Sequence, residues 1–119
     1  MSWTYVVQQN DTGVGAIECQ IVSQDSSDEV LSNLGYHSPE GFQIGYGGSG
    51  PADLAYSILV DYFVRTLMPN GVIDLAGTKR RVEVLHQQFK RDLVATAKEH
   101  FQIDSDFIEE WINNKEIPS

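Results

Sequence analysis

Between Phe42 and Phe63 the spacing of apolar residues changes its period. Phe42, Ile44 and Tyr46 alternate as in a strand, whereas Leu54, Ile58, Leu59, Tyr62 and Phe63 recur at threes and fours, as on one face of a helix. The junction is Gly45-Tyr46-Gly47-Gly48-Ser49-Gly50, in which four of six residues are glycine. Such a run permits positive φ without steric cost and leaves backbone amides uncovered. Pro51 suits the first helical position, where its missing N–H costs nothing, and Asp53 is placed to serve free first-turn amides. Met68-Pro69-Asn70-Gly71 ends the helix. One strand-to-helix corner is therefore set, and the remaining chain must be arranged around it.

Before the corner, Trp3–Gln8 has strand composition, Gln9–Gly13 is a turn cluster, and Ala16–Ser23 alternates with Ile17, Cys19 and Ile21 on one face. Together these predict a hairpin. Gln24–Glu29 is polar and reads as a loop, Val30–Leu34 is too short to assign, and Tyr36–Gly41 is a turn. After the corner, Val72–Leu75 is a candidate short strand. A second helix carries Val82, Leu85, Phe89, Leu93 and Ala97 as one apolar stripe. A short last helix has Asp106 and Glu109 as a capping-box pair, with Phe107, Ile108, Trp111 and Ile112 to bury. Strands first and helices after predict an α+β fold: an N-terminal antiparallel sheet with C-terminal helices packed on it. The 119 residues provide for a single domain, 1–119, with one core.

Composition narrows the function. No stretch approaches the roughly 20 apolar residues of a membrane helix, and Met1–Gln8 lacks the basic start of a signal peptide. One cysteine, Cys19, excludes an intramolecular disulfide framework and fits a reducing cytoplasm; within an alternating run it reads as a small core hydrophobe. A net charge of −9 argues against binding nucleic acid over the whole surface. The charges are unevenly spread. Residues 1–64 hold eight acidic side chains and no Lys or Arg, and residues 65–98 hold seven of the eight basic ones. A basic middle on an acidic body provides for a local anion site, for self-complementary homo-oligomers, or simply for solvated helix faces with intrahelical ion pairs.

The glycine run satisfies G-x-G-x-x-G after a strand and before a helix, and Asp74 stands at a plausible distance for a ribose partner. The dinucleotide-binding fold, however, requires further βαβ units that the chain does not supply. What remains is local: amides at a helix start, with the Ser49 hydroxyl, can hold an anion or a polar ligand edge, or the glycines merely allow a tight corner. Catalytic sets are absent from the pattern. His37, His86 and His100 have no metal-ligand spacing, and Ser49 precedes Gly50-Pro51 rather than completing a nucleophile elbow. His86 and Lys90 lie one helical turn apart and face an anion together or water separately. Neither a catalytic residue, a metal site nor a cofactor is expected.

The run from His37 to Ala55 (HSPEGFQIGYGGSGPADLA) closely resembles the signature of a small phage and prophage domain family of unknown function, approximately S-P-x-G-F-x-W-G-Y-G-G-S-G-P-A-x-L-A with an F-K pair in a later helix. Phe89-Lys90 looks like that second piece. Ile44 stands where the family usually has tryptophan, and residues around Met68–Thr78 look like an insertion. The layout also resembles, more loosely, the Thoeris anti-defence proteins, oligomers that sequester nucleotide-derived immune signals such as cyclic ADP-ribose isomers without cleaving them.

These resemblances imply a phage-type anti-defence protein, not an enzyme, that sequesters a cyclic ADP-ribose isomer or a cyclic oligonucleotide as a homo-oligomer in the host bacterial cytoplasm. Its ligand-binding residues would be Phe42 and Tyr46 for stacking, Gly47, Gly48 and Ser49 for the turn, and His86, Lys90 and Arg91 for the anion. The alternative is an acidic inhibitor or accessory factor that docks on a host enzyme.

Overall fold

The structure is a computed structural model and describes residues 2–9, 17–24, 27–31, 42, 44, 49–67, 75–97 and 101–115. It is an α+β fold. Strands β1 (Trp3–Gln9), β2 (Ile17–Ser23), β3 (Glu29–Val30) and β4 (Phe101–Asp104) form a four-stranded sheet in the order β3-β2-β1-β4, antiparallel at every pairing. The predicted hairpin is present: Tyr5 stands opposite Ile21 and Val7 opposite Cys19. This register puts Tyr5, Val7, Cys19, Ile21 and Ile103 on one buried face, with Gln8, Gln102 and Asp104 turned out. Burial pushes the Cys19 thiol up to about 12, with the Asp61 carboxylate adding to the rise, so it behaves as the core hydrophobe its alternation implied.

Helix α1 (Ser49–Leu67) packs with α2 (Leu75–Phe89), and α3 (Ser105–Lys115) leans on β1 and β4. Leu54, Ile58, Leu59, Tyr62 and Phe63 are buried as their spacing predicts, but so are Ala52, Asp53, Ala55, Ser57 and Val60. A helix buried on nearly all sides lies inside the fold rather than on it. The α1–α2 pair is antiparallel, joined across seven residues, with Tyr56 edge-on to His86 at 5.5 Å and Arg81 over Phe63 at 4.5 Å.

Several local expectations are corrected. The last strand, β4, comes after α2, so the strands do not all precede the helices. Phe42 and Ile44 belong to no strand; the rest of that predicted strand, with the turns at 10–13 and 36–41, lies outside the described residues. The third strand is instead Glu29–Val30, held beside β2 opposite Ile21 and Gln20, with Leu31 N donating to Cys19 O at 2.8 Å. Leu75 opens α2 rather than ending a strand, and residues 72–74 are outside the described set. α1 starts two residues before Pro51, so Asp53 sits beyond its first turn.

The apolar stripe of α2 breaks at its end. Residues Lys90–Val94 form a π turn, with Ala95 N donating to Lys90 O at 2.8 Å. The added residue carries burial from Phe89 to Val94, five positions on, leaving Leu93 half-buried and Ala97 beyond the helix. In α3 the cap is Asp104, whose Oδ1 accepts from Phe107 N at 2.8 Å, and not Asp106. Ile108, Trp111 and Ile112 are buried as expected, but Phe107 is 46% exposed.

Candidate functional site

The first turns of α1 follow directly on the glycine run. Gly50, Pro51, Ala52 and Asp53 are all buried, Asp53 completely so. The antiparallel α1–α2 pairing brings this end of α1 level with the end of α2, because Tyr56 meets His86 and the two chains run in opposite directions from there. The π turn beginning at Lys90 packs on α1. Trp111, stacked edge-on against Phe89 at 5.1 Å, ties the same turn to α3: its Nε1 donates to Asp92 Oδ2 at 3.0 Å, and Lys115 Nζ reaches that oxygen at 3.3 Å. A π turn interrupts regular hydrogen bonding and re-aims the side chains that follow it. Here it is clamped from both sides.

The sequence-predicted ligand residues divide accordingly. Phe42 is buried and packs with the core, so its ring does not face open solvent. Tyr46, Gly47 and Gly48 lie outside the described residues, and Ser49 is described only as the first residue of α1. Lys90 is half-buried on the turn that packs against α1, while Arg91 is exposed. His86 Nδ1 lies 3.1 Å from Val82 O and 3.0 Å from Glu83 O, so it carries a proton and donates to its own helix. In that tautomer Nε2, 3.3 Å from the Gln87 amide nitrogen, is an acceptor, and His86 would donate to an anion only when doubly protonated. The imidazole is further fixed by Tyr56, whose own phenol is pushed up by burial and by the Glu83 carboxylate. Of the anion-binding set, Lys90 is the cation brought closest to the start of α1.

A second polar group, which the sequence pattern did not single out, crosses the other half of α1. Tyr5 Oη donates to Asp61 Oδ2 at 2.6 Å; Arg65 holds Asp61 through Nε at 2.6 Å and Glu29 through Nη2 at 2.9 Å. Burial, then the Asp61 carboxylate, raises the Tyr5 phenol far above its ordinary range, so it is a permanent donor. Burial disfavours the Arg65 charge, and Asp61 and Glu29 more than offset that. Beside this chain is a notch of about 260 Å³ lined by Trp3, Tyr62, Arg65, Thr66, Ser105, Asp106 and Glu109. These residues come from three separate elements. The available signal was the placement of Asp106 and Glu109 on one helical face, which the sequence reading spent on a cap.

Among the described residues, no group of three or more His, Cys, Asp or Glu is arranged to hold a metal ion, and no helix is long and apolar enough to cross a membrane. The profile of a family of unknown function, DUF6166, matches residues 5–114, so the chain belongs to that family. No curated protein and no solved structure matches it.

Proposed function

We propose that this chain is a non-catalytic binding protein that captures a small, phosphorylated, nucleotide-derived molecule and holds it intact. The observation that carries the reading is the meeting of two distant pieces of sequence. The helix start that follows the glycines, Gly50–Asp53, lies beside the Phe89–Lys90 end of α2, where a π turn packs on α1. Amides at a helix start and one cation suit a phosphate. Phe89 is fully buried and keeps the Lys90 turn in place, so Lys90 is the residue assigned to the anion, with Arg91 open to solvent or to a second copy. The proposed setting is a bacterial cytoplasm, as a phage-type anti-defence protein that removes an immune signal such as a cyclic ADP-ribose isomer or a cyclic oligonucleotide, working as a homo-oligomer.

The test is to incubate the purified protein with such nucleotides, remove the unbound fraction, denature by heat and identify what is released. Release of unaltered nucleotide is expected; an altered product would make it an enzyme, and no uptake would remove the reading. Light scattering at about 50 µM should show more than one copy per particle, since a specific interface of ordinary size persists at that concentration.

A second reading, a protein-binding inhibitor, is favoured by the exposed carboxylates that follow one another at the β4–α3 corner: Asp104, Asp106, Glu109 and Glu110. Failure to take up nucleotide together with saturable binding to a basic host protein would select it.

A further inference from the structure

The notch between β1, α1 and α3 has a chemistry opposite to that of the anion site. Its aromatic wall is Trp3 and Tyr62, with ring centroids 5.9 Å apart and planes inclined by 39°. Facing them are Asp106 and Glu109, three residues apart on α3 and both exposed. The one cation in the lining, Arg65, is already gripped by Asp61 and Glu29, so it does not answer these carboxylates. Asp106 has a single printed-length contact, a 3.4 Å hydrogen bond from the Ser2 hydroxyl. Thr66 turns its hydroxyl back to Tyr62 O at 2.7 Å, and Ser105 Oγ accepts from Trp3 N at 3.1 Å. Both hydroxyls are thus used in fixing the walls. The Trp3 Nε1–H is buried in the wall with no hydrogen-bond partner, which makes it a donor to be matched rather than one already spent.

The electrostatics agree with the geometry. Burial pushes the Tyr62 phenol up; its hydrogen bond with Thr66 works the other way, and Glu109 and Asp106 add to the rise while Arg81 opposes it. Two carboxylates therefore act on one point of the notch. A helix start attracts acidic side chains through its dipole, and that accounts for Asp106 in the first turn of α3. It does not account for Glu109, one turn further on, nor for the aromatic pair opposite. Rings facing carboxylates across a small cavity suit a cation that has both charge and an apolar stem. A cavity of about 260 Å³ is below the size of drug-like ligand sites and near that of one long side chain or a short diamine.

We propose that this notch binds an alkyl guanidinium or ammonium group, its charge on Asp106 and Glu109 and its stem on Trp3 and Tyr62. The site rests on residues none of which belongs to the proposed anion site, so each can fail without the other. The same chemistry reaches it from a free small amine or from an Arg or Lys side chain of a polypeptide, and the experiment separates the two.

The full-length protein is titrated with agmatine while the indole N–H resonances of Trp3 and Trp111 are followed by NMR. Saturable movement of the Trp3 signal is expected by about 10 mM, with Trp111, held by Asp92, moving little. Butylurea, similar in stem but neutral, should leave both in place. The exposed pair Asp106→Asn with Glu109→Gln should keep the parent's melting curve and weaken agmatine about tenfold or more. A doubly blocked arginine peptide is the second arm: if it binds as agmatine does, a polypeptide side chain is the ligand, and if only agmatine binds, a free amine is. An unmoved Trp3 signal with both probes, an equal response to butylurea, or parental affinity in the double variant would overturn the proposal.

Discussion

The two halves of α1 treat polar residues in opposite ways. In the first half, Asp53 and Ser57 are completely buried, both are engaged by neighbours, and every residue from Gly50 to Ala55 is enclosed. In the second half, Asp61 and Arg65 join the Tyr5 hydroxyl to Glu29 in a chain that climbs from the core to the solvent, and the notch opens beside it. Both halves carry a carboxylate, but only the second lets water share its solvation. Losing a polar group should therefore be costly at the start of the helix and tolerable at its end, because an enclosed partner left without a bond cannot turn to solvent.

Substitutions can break this contrast. The largest effect is expected where the enclosed half meets its covering turn: Phe89→Ala should cost about 3–5 kcal/mol in chemical denaturation, since the ring is fully buried against Trp111. Asp53→Ala should follow at about 3 kcal/mol. Tyr5→Phe, which removes a charge-assisted bond but leaves Asp61 its arginine, should cost about 1.5–3 kcal/mol. Arg65→Ala should cost less than about 1 kcal/mol, because Glu29 and Asp61 are reached by water and the pair is screened. If Asp53→Ala and Arg65→Ala melt alike, the two halves are not different in the way described.

A pH titration of stability sharpens the same point from the core side. Cys19 is neutral in both states at neutral pH; above its ordinary 9.0 the unfolded chain loses that proton while the folded chain keeps it up to about 12. The unfolded state then binds fewer protons, so stability falls as pH rises through that window, by up to about 1.4 kcal/mol per unit for each such group. Tyr5, raised from 10.0, adds to the fall at higher pH. Cys19→Ala should flatten the part of the slope nearest pH 9, read from urea midpoints between about pH 8 and pH 10. An unchanged slope would mean that the thiol is not held back by burial.

Much of the frame was legible because it follows from side-chain period. Alternation at Ile17, Cys19 and Ile21 gave the inner face of β2, and threes and fours from Leu54 to Phe63 gave α1. What escaped is set by tertiary pairing or by the backbone alone. β4 has only Phe101 and Ile103 to alternate, and it is a strand because Thr4–Val7 lies beside it. The π turn has no side-chain signature: Leu93 and Val94 are both apolar, and only an i to i+5 bond decides which is buried. On the candidate site, the Phe89-Lys90 pair was legible by resemblance, but its nearness to the start of α1 required the antiparallel register of two helices. The notch was illegible because Trp3, Tyr62 and Glu109 come together only when three elements pack.

Calorimetry of Lys90→Ala against the nucleotide that the parent protein releases on heating, at two salt concentrations, tests the central claim most directly. If Lys90 meets a phosphate beside the start of α1, the variant should lose about 1.5–3 kcal/mol, tenfold or more in affinity, and its binding should depend less on salt than the parent's. Parental affinity with the parental salt dependence would contradict it and move the anion to another part of the molecule.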